Sequence, residues 1–161
     1  MKQADAALKP LVLGESIVGQ TVMAKRDAKL CAPAVGLRLT PEKALYKERK
    51  STPSFQLWIE NPSAAAVKVC LLRFSVVASP LVLVELLDSK KEKLGPRMPE
   101  VYPVEQEEVG WETFTIPPQA RVLVRQPFMM DPGPIPAGST ASWAVWLNGD
   151  YKSGESPVAK R

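Results

Sequence analysis

Histidine is missing from this chain altogether. That removes the commonest general base, the commonest zinc and copper ligand, and the one side chain that titrates unperturbed near neutrality. Only two cysteines are present, Cys31 and Cys70, and two thiols without histidine do not complete a tetrahedral metal site. Long apolar runs are lacking as well. No segment approaches the roughly 18 apolar residues of a membrane span, and Leu11-Val12-Leu13 is too short for the apolar region of a signal peptide. Glycine is sparse at 9 residues while proline reaches 16, spread along the chain. Long uninterrupted helices are thereby excluded, since an interior proline costs a helix about 3 kcal/mol.

What is there suits a β-rich globular domain with a real core: 161 residues, 45% hydrophobic and 24% charged. Cytoplasmic location is the default expectation, with export open if a leader has been removed. Under that default Cys31 and Cys70 are buried thiols, and in an exported chain they form one disulfide. No cofactor and no metal is expected. Charge is uneven. The net value is +4, yet residues 1–50 carry ten Lys/Arg against five Asp/Glu, whereas residues 99–120 carry five glutamates and no basic residue. Lys25, Arg26, Lys29, Lys43, Lys47, Arg49 and Lys50 lack interleaved aromatics for base stacking, so nucleic acid is not the expected partner.

Three segments are expected: an arm over residues 1–34 that pairs as a strand or wraps the domain, a domain over 35–151, and a tail over 152–161. Period-two alternation marks strands at residues 35–39 and 55–60, the second closed by the Asn61-Pro62-Ser63 turn signal. Further strands are expected at 67–74, at 81–87 with both faces buried, and at 111–116, 122–124 and 142–147. Residues 95–110 read as a long proline-rich acidic loop. About seven short strands fit an antiparallel sandwich.

Catalytic signals are weak. Gly14-Glu15-Ser16-Ile17-Val18-Gly19 has Val18 where a nucleophile elbow needs glycine, and no glycine-rich stretch leads into a phosphate-binding Gly-Lys-Ser/Thr. Glu107 or Glu108 facing Glu112 would give a glycosidase pair, but a solvated acidic surface is the simpler reading. Candidate partner-binding residues are aromatic, sulfur-bearing or basic: Trp58, Tyr102 and Trp111 as a stacking platform, Phe128, Met129 and Met130 as a docking patch, and Lys47, Arg49 and Lys50 as a charged rim. Trp58 falls on the polar phase of its strand. The competing reading for Phe128, Met129 and Met130 is core filling.

Leu37-Arg38-Leu39-Thr40-Pro41, Phe55-Gln56-Leu57-Trp58-Ile59-Glu60-Asn61, Phe114-Thr115-Ile116-Pro117-Pro118 and Ile135-Pro136-Ala137-Gly138-Ser139-Thr140 follow one another in an order that resembles a bacterial immunoglobulin-like sandwich. The resemblance is greatest to the small domains around the intracellular proteinase inhibitors. It implies an all-β, immunoglobulin-like antiparallel sandwich and carries over no inhibitory residue. Such domains usually end in one further strand after the Trp146 region, and that strand is expected to be missing or very short here. The arm or a partner's strand would then fill the edge. The functional expectation is a non-catalytic protein-interaction module, working through a sheet edge, the basic arm or loops, with no small-molecule substrate. The alternatives are a proteinase inhibitor and a structural subunit of a larger assembly.

Overall fold

The computed structural model describes residues 7–25, 27–43, 45, 53–73, 81–94, 108–128 and 133–158, and its regular structure there is entirely strand. In chain order the strands are β1 (Lys9–Val12), β2 (Gln20–Lys25), β3 (Arg38–Pro41), β4 (Ser54–Asn61), β5 (Val67–Leu72), β6 (Leu83–Leu87), β7 (Glu108–Ile116), β8 (Ala120–Pro127), β9 (Thr140–Leu147) and β10 (Asp150–Pro157). They make a sandwich of two sheets. One runs β1-β8-β4-β3, and the other β10-β9-β5-β7-β2 with β6 also paired to β9. No helix among the described residues is long and apolar enough to cross a membrane.

Alternation of side chains explains the layers. Phe55, Leu57 and Ile59 of β4 and Val122 and Val124 of β8 point inward from the first sheet, meeting Val69, Leu71, Phe114, Ile116, Val145 and Leu147 from the second. All but Phe114, at 5%, are exposed by 2% or less, and burying each such side chain contributes about 1.5–3 kcal/mol. Strands β1, β3, β4 and β8 in one sheet and β2, β5, β6, β7, β9 and β10 in the other make an all-β sandwich. Buried Asn61 ties the two sheets at one end. Its Nδ2 donates to the carbonyls of Ala65, Ile116 and Pro117 at 2.9–3.2 Å, and its Oδ1 accepts from the Ser63 amide and hydroxyl.

All seven expected strands are present, and three more join them. From the arm, β1 pairs parallel with β8 and β2 antiparallel with β7. The third corrects the expectation of a missing last strand: β10 pairs with β9 along eight residues, from Asp150 opposite Leu147 to Pro157 opposite Thr140. Residues 150–157 are therefore sheet, and the arm does not stand in for them. The turn between β9 and β10 is Asn148-Gly149 with φ of 48° and 86°, the doubly left-handed geometry that matches strand twist.

Other boundaries shift for local reasons. Gly36 (φ 83°) turns the chain beside exposed Val35, so the strand expected from residue 35 begins at Arg38. β6 is only partly covered, with Leu86 alone fully buried, and β9 is its one strand partner among the described residues; burial on both faces is not observed. Residues 108–110 of the expected acidic loop belong to β7.

Candidate functional site

The outer face of the second sheet carries a second apolar cluster that alternation alone places on the solvent side. Cys70 and Leu72 of β5 lie there with Val109 and Trp111 of β7, all exposed by 1% or less. Their cover is the segment that follows β2. Leu30 and Cys31 pack on the cluster, and Cys31 is joined to Cys70 by a disulfide with the Cα atoms 6.1 Å apart. The two thiols expected of a reducing compartment are thus one bridge, which fastens residues 27–33 across the sheet.

Asn148 braces the same region from the β9–β10 turn. Its Oδ1 accepts the Cys70 amide at 2.7 Å, and its Nδ2 donates to the carbonyls of Ala32 and Lys68, both at 2.9 Å. One side chain therefore connects the hairpin, β5 and the covering segment. Between that segment and the hairpin a half-open cleft of about 730 Å³ remains. Trp111, the disulfide, Leu30 and Trp146 line it, and Asp27, Lys29 and Asp150 contribute its charged groups. Tyr151 meets Trp146 edge to face, with ring centroids 5.9 Å apart. Trp111 Nε1 is buried without a hydrogen-bond acceptor among the described residues.

Beside this cleft runs the far edge of β10. In a two-residue hairpin the residues flanking the turn exchange both hydrogen bonds, so the even-numbered residues of β10 address β9. The Val158 amide, which donates to Ser139, keeps that phase. Main-chain groups of Tyr151, Ser153 and Glu155 point the other way, and no described strand pairs with them. Of the other edges, β1 and β3 are four residues long and contain Pro10 and Pro41, which shortens and blunts them, while β2 is free of proline but, at six residues, shorter than the eight of β10.

Of the residues singled out from sequence, the three described ones, Trp58, Trp111 and Phe128, lie apart from one another. Trp58 lies on the outer face of the first sheet, as its phase indicates, but is only 8% exposed. Its Nε1 donates to Glu42, and the Arg121 guanidinium covers its ring 3.9 Å from the centroid, leaving no open stacking face. Trp111 is buried on the opposite face of the molecule, beneath the disulfide-held segment, so it shares no platform with Trp58. Phe128 packs against the main core, in line with the core-filling reading. Tyr102, Met129, Met130, Lys47, Arg49 and Lys50 lie outside the described residues.

Of the catalytic candidates, Glu107 lies outside the described residues, and Ser16 and Glu112 are hydrogen-bonded within the fold. Ser16 Oγ accepts the Val12 amide within a turn. Glu112 is not part of a solvated acidic surface: it is 8% exposed, bonded by Arg73 at 2.7 Å and by Thr21 Oγ1 at 3.0 Å. Sequence reasoning missed Trp146, Tyr151 and the β10 edge. The signal for them was Asn148-Gly149, a two-residue hairpin turn that announces a returning strand.

Comparison with family models, with curated proteins and with solved structures finds no match to this chain. The likeness to proteinase inhibitors gains no support from these comparisons, and the two-sheet architecture is what stands.

Proposed function

We propose that this chain is a non-catalytic binding module that takes up an extended segment of a partner protein as an added strand on β10. The observation that carries this reading is the row of outward main-chain groups at Tyr151, Ser153 and Glu155, on an eight-residue edge interrupted by proline only at Pro157. Main-chain pairing supplies affinity without a catalytic group. Ser153 and Gly154 leave room for a backbone to approach, and Tyr151, 56% exposed, offers an apolar face beside the incoming strand. The Cys31–Cys70 bridge favours action in an oxidising compartment over the cytoplasmic default, because disulfides persist there. The inhibitor alternative rests on the family likeness alone.

The test is Ser153→Pro, which removes an outward N–H that no bond within the sheet uses. Affinity capture from the native source with wild-type and variant chains, read by mass spectrometry, is expected to show a partner lost with the proline. In the recovered complex, hydrogen exchange should slow at Tyr151, Ser153 and Glu155. A partner retained by a folded Ser153→Pro chain, or unchanged exchange at those three amides, would overturn the proposal.

A further inference from the structure

We infer that the cleft beneath the disulfide-held segment is a pocket for a neutral aromatic amide, the chemistry presented by an aromatic residue within a peptide chain. This goes beyond strand addition and stands without it. Its volume, about 730 Å³, is in the range that holds a small ligand. The lining fits a ring: Trp111, Trp146, Leu30 and the Cys31–Cys70 sulfurs are apolar and polarisable, and sulfur and indole both favour aromatic contacts.

Polar groups then select among ring-bearing ligands. Asn148, which also lines the cleft, spends its amide on Cys70, Ala32 and Lys68 and offers no recognition. Trp111 Nε1 has no acceptor among the described residues, and a buried donor left unpaired costs about 1–3 kcal/mol. Because that nitrogen is closed to water, an acceptor reaches it only when a neighbouring side chain moves aside. A carbonyl oxygen is such an acceptor. A carboxylate is one too, but among the described residues the rim sets two carboxylates, Asp27 and Asp150, against one ammonium, Lys29, and so disfavours an anion. The occupant that satisfies ring, acceptor and charge together is an uncharged amide with an aromatic side chain.

Three probes in solution test this with the full chain: N-acetylphenylalaninamide, its free acid N-acetylphenylalanine, and N-acetylalaninamide, which lacks the ring. The readout is the indole N–H region of the proton–nitrogen NMR spectrum. The aromatic amide is expected to shift the Trp111 and Trp146 signals saturably. The acid should bind more weakly by about threefold, the scale of an exposed charge interaction, and the ringless amide should leave both signals in place. Ala28→Trp, at a position lining the cleft, should abolish the shifts in a chain whose melting temperature is retained. Should that variant fail to fold, Asp27→Lys combined with Asp150→Lys, both at exposed positions, should invert the preference so that the acid binds at least as well as the amide. Absence of a saturable shift, equal response to all three probes, or an unchanged order of amide and acid in the lysine variant would overturn the assignment.

Discussion

Gly154 of β10 lies opposite Trp143 of β9, and a Cβ built at Gly154 would come within 2.8 Å of the indole's Cζ2 and 3.1 Å of its Cε2. The missing side chain is the space in which the Trp143 ring lies, so the last hairpin packs as a ring across bare backbone. Gly154→Ala is expected to destabilise the domain by about 1–3 kcal/mol through overpacking. A shift of the urea midpoint at unchanged slope would show it, and an unshifted midpoint would mean that the ring moves away at no cost. Trp143→Leu in the same chain should recover part of the loss.

Asn148 combines a left-handed backbone, φ 48°, with an amide bonded at both ends. The two contributions separate by substitution. Asn148→Gly keeps the conformation and loses the amide, leaving the Cys70 N–H and two carbonyls without it, for a cost of about 1–3 kcal/mol. Asn148→Asp should cost more in spite of its equal size, because a carboxylate oxygen would replace the donor facing the Ala32 and Lys68 carbonyls. Chemical denaturation of the two variants orders them, and Asp tolerated better than Gly would contradict the hydrogen-bond assignment.

The arm and the covering segment are held by the Cys31–Cys70 bridge, which spans 39 residues. Replacing both cysteines by alanine should lower the unfolding free energy by about 2–4 kcal/mol, chiefly by freeing the unfolded chain. A local effect should accompany the global one. Amides of residues 27–33 should exchange faster than those of β4, and Trp146 emission should move to longer wavelength as the outer apolar cluster is uncovered. Equal acceleration at both places would mean that the bridge acts on global stability alone.

Alternation made β4, β5, β7, β8 and β9 legible in the sequence, because each buries one or both faces and its side chains record it. β10 left no such alternation for the same physical reason. Lys152-Ser153-Gly154-Glu155-Ser156 carries no apolar period, since the strand is held by main-chain bonds to β9 and by Gly154 accommodating Trp143. The phase of Trp58 was readable, but its cover was not, because Arg121 arrives through the pairing of β4 with β8. Likewise an acidic composition over residues 99–120 said nothing of Arg73, which follows β5 and reaches Glu112 across the sheet. The bridge depends on a distance between Cys31 and Cys70 that only the folded segment sets.

The last prediction concerns Gly19 and Glu112. A Cβ on Gly19 would fall 2.2 Å from Glu112 Oε1 and 2.9 Å from its carboxyl carbon, far inside contact distance, although no left-handed backbone requires glycine there. The carboxylate cannot simply swing aside, because its Oε2 is bonded by Arg73 at 2.7 Å and by Thr21 at 3.0 Å. Gly19→Ala must therefore either displace the segment leading into β2 or break those two bonds. Glu112→Ala removes the obstacle and the bonds together. In a double-mutant cycle the two substitutions should cost less in combination than the sum of their separate effects, with a coupling of about 0.5–3 kcal/mol. Additive costs would mean that Gly19 is present for another reason and that the arm does not seat against the Glu112–Arg73 pair.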